Sequence, residues 1–296
     1  MYLLLFVLNI MVLLSIAFFT LFERKILGYL QLRLGPSKMS VKGILQPIID
    51  GLKLFMKESY LGLNLSKFMY SGFPFFLLLL MLLFWLSFIY AKVDYLKHSM
   101  IYVILVSSLG VYGVMGSGWS SNSKYALLGA YRSVCQVISY EVGMVFIIML
   151  FFIYLKSYSM SLLLKVHFFS HYFFFGFLFM FLIWVVTILA ELNRSPFDFS
   201  ESESELVSGF NIEYGSLKFA FLFLSEYGNM IFMGLLSVYI FFMNEISYLL
   251  IVLLLMVWVR GSFPRFRYDN LMYLSWKVFL PLILLFYFYV YLMVVF

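Results

Sequence analysis

Charge is what this sequence has least of. Only 11% of its 296 residues are Asp, Glu, Lys or Arg, against about a quarter in soluble globular proteins. Acidic side chains are the scarcer kind, 14 in all, and there are three histidines. A single cysteine, Cys135, excludes a disulfide framework within the chain and any cysteine-ligated iron–sulfur cluster. There is no metal-ligand spacing, no phosphate-binding glycine loop and no nucleophile–base pair, so no catalytic constellation or metal site is expected in this chain. The net charge of +6 is not a nucleic-acid signature, because the basic residues sit beside apolar runs. A lipid bilayer is the partner they fit.

What is abundant is apolar surface: 65% of the chain is hydrophobic. No soluble core of this size needs that much. The apolar runs are long rather than alternating, so they read as membrane-crossing helices and not as a barrel. Phe (37) and Tyr (23) stand where Leu or Val would serve as well, the bias of a T-rich genome such as a mitochondrial one. Met1 leads straight into the first apolar run, without a basic lead or an Arg/Ser-rich presequence.

Eight spans are expected in one membrane domain covering 1–296: Tyr2–Phe22, Phe68–Ala91, Ser99–Ser123, Tyr125–Leu155, Tyr172–Ala190, Leu217–Asn244, Ile246–Val259 and Val278–Phe296. The seventh is short and must borrow flanking residues or thin the bilayer. In the third, Gly110, Gly113 and Gly116 recur every three residues, which predicts a close helix–helix contact. Between the first two spans, Lys42–Lys57 carries Ile44, Leu45, Ile48, Ile49, Leu52, Phe55 and Met56 on one face and Gln46, Asp50, Lys53 and Lys57 on the other. That stripe is too polar to span; it fits a helix lying flat in the interface, and equally a surface helix packed on another subunit.

Carboxylates inside spans are costly and point to function. Glu141 shares its face with Val137, Ile138 and Val145, and Glu226 with Phe219, Phe223 and Asn229. Arg132 and Glu141 differ by about half a turn of phase, so they do not pair along their helix. Six of the 14 acids (Glu191, Asp198, Glu201, Glu203, Glu205 and Glu213) crowd into the segment from Ala190 to Gly215 between two spans. Ser195-Pro196 ends a helix there, and Ser200 with Glu203 fits a capping box that restarts one. Glu201 and Glu205 then stand one turn apart, where sharing a proton is cheaper than ionising both. Loops alternate sides so that sixteen of the twenty Lys and Arg fall on the side of the acidic segment, which is therefore the matrix or cytoplasmic side. His98, His167 and His171 map to the other side.

Four blocks carry a resemblance: FERKILGYLQLRLGP (22–36) with GILQPIIDGLKLFMKE (43–58), YALLGAYRSVCQVISYEV (125–142), the acidic segment, and FPRFRYDNLMYLSWK (263–277). In these the chain resembles the subunit 1 family of respiratory complex I. Where that family usually has G-P-N this chain reads G-P-S-K-M-S-V-K-G (35–43), and Gly215-Ser216-Leu217 replaces a glycine-rich step. The resemblance implies an all-α polytopic membrane subunit of an enzyme, the proton-translocating NADH:ubiquinone oxidoreductase, in the mitochondrial inner membrane and encoded in the organelle's genome; it implies no redox centre in this chain. It implies ubiquinone or a related quinone as substrate, with flavin and iron–sulfur clusters held by partner subunits. Those partners would be the hydrophilic quinone-module subunits and the neighbouring membrane-arm subunits. It further implies a quinone chamber bordered by Arg24, Asp198, Arg260, Arg265 and Arg267, and a proton path through Glu141, Glu191, Glu201, Glu203, Glu205, Glu213 and Glu226. Two other readings stay open on residues alone: the anchor of an ion-pumping hydrogenase, and a stand-alone secondary transporter, although no internal repeat is present.

Overall fold

A backbone in hydrocarbon has only itself to hydrogen-bond to, so each long apolar run must become a helix. The computed structural model describes residues 2–39, 41–58, 66–92, 98–160, 173–199, 209–242 and 247–295, and these contain helices and no strand. In chain order they are α1 (Tyr2–Leu30), α2 (Gln46–Met56), α3 (Lys67–Lys92), α4 (Ser99–Ser120), α5 (Lys124–Leu155) and α6 (Phe173–Glu191). A 3₁₀ turn (Gly209–Glu213), α7 (Ser216–Phe241) and α8 (Ser247–Ser262) follow. The last rod runs through α9 (Tyr268–Tyr273), a π-helical segment (Leu274–Phe279) and α10 (Leu280–Val295). Six of these helices are long and apolar enough to cross a membrane, and two shorter apolar ones lie in α6 and α8. Each of the eight expected spans thus coincides with a helix. The short seventh gains length as foreseen: α8 takes in Arg260, Gly261 and Ser262 and reaches 16 residues, roughly 24 Å at about 1.5 Å per residue.

The bundle is organised around α5 and α7. Each has 61% of its apolar window buried, against 22% for α1 and 17% for the last rod. Between them α5 and α7 touch α1, α2, α3, α4, α6, α8 and α10. Rim helices with so much apolar surface outside are faced by lipid or by other membrane subunits.

The glycines of α4 do not share one role, which corrects the reading of the stripe. A Cβ on Gly113 would lie 2.4 Å from Leu77 Cδ2, and one on Gly116 2.2 Å from the Phe73 ring, so at these two positions α3 does approach as expected. On Gly110 it would meet no described atom within 4 Å, because α3 draws away there and leaves a cavity.

Helix α2 sets Gln46 and Asp50 of its polar face toward α1 and leaves Lys53 and Lys57 exposed. Asp50 accepts from Arg24 at 2.7 Å and from Gln46 at 3.0 Å, while Ile48, Leu52, Phe55 and Met56 are exposed. The outward apolar face fits both readings of its stripe, a helix lying flat in the bilayer interface and a surface helix packed on another subunit. The altered loop before it turns at Gly43 (φ +80°), where a Cβ would collide with the Pro36 carbonyl at 2.2 Å. The two ends of the bundle also sort as the basic residues imply. Glu23, Arg194 and Arg260 meet at one end, and His98 packs against Tyr158 at the other.

The tightest helix contact gives a direct test. A Cβ on Gly118 would sit 2.2 Å from the Cβ of Ala130 and 3.3 Å from the Ala126 carbonyl, and neither can swing aside. Gly118→Ala is expected to destabilise the α4–α5 pair by about 1–3 kcal/mol, read as a lower thermal midpoint of the purified protein and less of it in the membrane.

Candidate functional site

The side chains of Glu23, Arg260, Tyr227, Arg194 and Glu226 form a continuous polar chain at one end of the bundle. Glu23, only 3% exposed on α1, accepts from Arg260 of α8 through Oε1 and from the Tyr227 hydroxyl of α7 at 2.7 Å through Oε2. The Arg194 guanidinium lies over the Tyr227 ring, 4.5 Å from its centroid. Its Nη2 donates to Glu226 Oε2 at 3.2 Å. Every link is charge-assisted or cation–π, the kinds that gain most when water is excluded. Two arginines and two carboxylates at this depth are mutually compensating, and loss of one leaves a buried charge behind.

Glu226 ends the chain at the wall of a cavity of about 100 Å³ enclosed by α3, α4, α5, α7 and the end of α6. At roughly 10–15 Å³ per water this holds a short file of several waters. Its walls are apolar at Leu77, Val111, Val114, Val134 and Leu222, and polar at Ser107, Ser133, Glu191, Asn193, Ser225, Glu226 and Asn229. Glu141 reaches it through Ser107, whose Oγ is 3.4 Å from Glu141 Oε1. Three of the atoms turned away from solvent here, Glu191 Oε2, Asn193 Oδ1 and Asn229 Oδ1, have no hydrogen-bond partner among the described residues. These atoms expose almost no surface, so the open space of the cavity does not reach them.

The chain leaving α6 is clamped into this position. Gln136 of α5, fully buried, donates from Nε2 to the carbonyls of Ala190 and Phe197, each at 2.8 Å. Phe266 N donates to the Pro196 carbonyl at 3.1 Å, and the Phe266 ring stacks on Phe197 at 5.4 Å. The 3₁₀ turn is held separately. The Tyr70 hydroxyl donates to the Glu213 carbonyl, and its ring stacks on Tyr214 at 4.5 Å beneath the Lys218 ammonium. The Tyr214 hydroxyl in turn donates to the Ser117 carbonyl at 2.9 Å, and burial pushes that phenol above its ordinary range.

Of the seven acids assigned to a proton path, Glu191 and Glu226 line the cavity and Glu141 adjoins it. Glu213 has an exposed side chain and does not border it, and Glu201, Glu203 and Glu205 lie outside the described residues, as does the Ser200 cap. None of the five chamber residues borders the cavity. Arg24 pairs with Asp50, Arg260 with Glu23, and exposed Arg267 with Asp269 at 3.1 Å; Arg265 is exposed in the loop and Asp198 is buried in the turn after α6. The sequence reading passed over Glu23, Tyr227, Gln136 and Ser107. Glu23 looked like a flanking charge at the end of a span, but Ile26 and Leu27 beyond it, both partly buried, carry α1 on to Leu30 and leave Glu23 inside.

Residues 3–291 match the family model described as NADH dehydrogenase. The chain is 46% identical over 282 residues to NADH-ubiquinone oxidoreductase chain 1 of Anopheles gambiae, covering 92% of this chain and 89% of that one. It is 46% identical over 287 residues to the chain 1 of Rhipicephalus sanguineus (96% and 91% covered), and 43% over 285 residues to that of Strongylocentrotus purpuratus (92% and 88% covered).

The polar chain predicts a non-additive pair. Glu23→Ala strands Arg260 and is expected to cost about 3 kcal/mol, measured as a fall in the thermal midpoint of the detergent-purified protein. Glu23→Ala with Arg260→Met should recover more than half of that fall. Simple additivity of the two changes would mean the two side chains do not depend on each other.

Proposed function

From the premise that this chain belongs to the NADH-ubiquinone oxidoreductase chain 1 family, we propose that it forms the quinone chamber of a proton-translocating NADH:ubiquinone oxidoreductase and couples quinone reduction to proton movement. The enzyme sits in the mitochondrial inner membrane, where this chain contacts lipid, the neighbouring membrane-arm subunits and the hydrophilic subunits that carry flavin and iron–sulfur clusters. NADH oxidation belongs to those partners. The contribution of this chain is a place for quinone and a conductor for the charge that its reduction displaces. The names of the relatives favour this reading over a hydrogenase anchor or a transporter.

The observation that carries it is the meeting of Glu141, Glu191 and Glu226 at one polar cavity inside an apolar bundle, tied by Arg194, Tyr227, Glu23 and Arg260 to the end where α2 and the loop of Arg265 and Arg267 gather. A quinone reduced to quinol takes up protons together with electrons. That draws charge from the chamber wall, here assigned to Arg24, Asp198, Arg260, Arg265 and Arg267. A chain of alternating acids and bases passes such an imbalance inward, because moving a proton on one member changes the field at the next. At its inner end Glu226, Glu191 and Glu141 can exchange protons through water in the cavity. The acidic segment, with Glu201, Glu203, Glu205 and Glu213, lies between chamber and cavity in the sequence and is proposed to respond to quinone chemistry.

Quinone enters along α2, whose apolar face is open to lipid. Leu52→Asp should therefore raise the apparent KM for quinone several-fold and leave NADH oxidation by a water-soluble acceptor intact. An unchanged KM would remove α2 from the entrance. Glu141→Gln or Glu226→Gln should leave NADH oxidation by the soluble acceptor intact and cut protons translocated per electron by about fivefold or more. Normal pumping in both amide variants of a normally assembled complex would overturn the proton path.

A further inference from the structure

In the sequence Gly110, Gly113 and Gly116 look equivalent, but the space in front of them separates them. Side chains at Gly113 and Gly116 would strike Leu77 and Phe73 of α3. At Gly110 a Cβ meets no described atom within 4 Å, so close helix packing does not account for the glycine. Its backbone conformation does not either, since it sits mid-helix in α4, where glycine is less favourable than alanine. Gly110, itself half-buried, lies on the stripe of α4 that carries the buried residues Val103, Ser107 and Ser117, and it lines the cavity. Ser107, one turn before it, touches Glu141. Glu226 and Asn229 line the same cavity from α7. The polar side chains of Ser107, Ser133, Glu191, Ser225, Glu226 and Asn229 line this space, which is large enough to hold water.

We propose that Gly110 is the aperture of the proton path: its missing side chain keeps open the water passage between Ser107 with Glu141 on one side and Asn229 with Glu226 on the other. A large aliphatic side chain here projects into the cavity and displaces water without pushing any helix away. The passage then becomes dry, and dry apolar space does not carry protons. This rests on the coupling role proposed above for the three carboxylates.

The test uses the whole assembled complex in proteoliposomes. Gly110→Leu is expected to assemble normally and to keep NADH oxidation by a soluble acceptor, with protons translocated per electron reduced by about fivefold or more. Gly110→Ala adds one methyl group and should keep most of the pumping. Gly116→Ala, which strikes Phe73 of α3 and no residue of the cavity lining, should behave oppositely, with less complex assembled and normal pumping in what remains. If Gly110→Leu does not assemble, Gly110→Cys in a Cys135→Ser background decides the matter, because methyl and benzyl methanethiosulfonates can be added after assembly. Pumping should fall on modification, more with the benzyl reagent, and only in the complex carrying Cys at this position. Full pumping in the leucine variant, or in the fully benzylated cysteine variant, overturns the aperture. If Glu226→Gln still stops pumping in that same preparation, only the aperture is lost. If Glu226→Gln pumps normally as well, the coupling role itself has failed.

Discussion

A carboxylate enclosed by hydrocarbon must be paired, hydrated or protonated, and the bundle is arranged around how its acids meet that demand. Glu23 is paired, with Arg260 and the Tyr227 hydroxyl. Glu226 is held between Arg194 and the cavity. Glu191 lines the cavity, and Glu141 adjoins it through Ser107. In water an ion pair at 4 Å is worth about 1 kcal/mol, whereas at an effective dielectric of 20 it is worth about 4. The surface pair Arg267–Asp269 therefore settles little, and the buried chain settles the relative placement of α1, α7, α8 and the turn after α6.

The neutral polar contacts serve this arrangement. Gln136 clamps both sides of the turn that carries Arg194, and the Pro196 carbonyl is tied to Phe266 of the arginine loop. These bonds join the arginine loop to the backbone bearing Arg194, whose side chain holds Glu226. The cation–π contact with Tyr227 adds a link that does not depend on a proton. Glu23 and Arg194 each contact two neighbours in this chain, and Arg260 and Glu226 stand at its ends.

Much of this was legible in the residues, for a physical reason. A span must be apolar and about 20 residues long, so composition places the eight spans, all but the first within three residues of their helices, and a carboxylate such as Glu141 or Glu226 stands out against an apolar face. Contacts between distant segments carry no such periodic mark. Nothing near Gln136 says that its amide will grip carbonyls 54 and 61 residues away. The equal spacing of Gly110, Gly113 and Gly116 hides the fact that α3 approaches only the latter two. Glu23 was hidden by its neighbours Arg24 and Lys25, which look like the polar end of a span although α1 continues to Leu30. The sign of the α2 stripe was readable, but which face turns to the protein depended on Arg24 offering Asp50 a partner.

The central claim is that quinone chemistry at one end of the buried chain changes the protonation of carboxylates at the other. The most direct measurement is the infrared difference spectrum of the intact complex on reduction of its quinone, in the region of protonated carboxyl groups. The account predicts a carboxyl signal that is lost in Glu191→Gln or Glu226→Gln and weakened in Tyr227→Phe, which touches neither acid. A difference spectrum identical in the native complex and all three variants would contradict it.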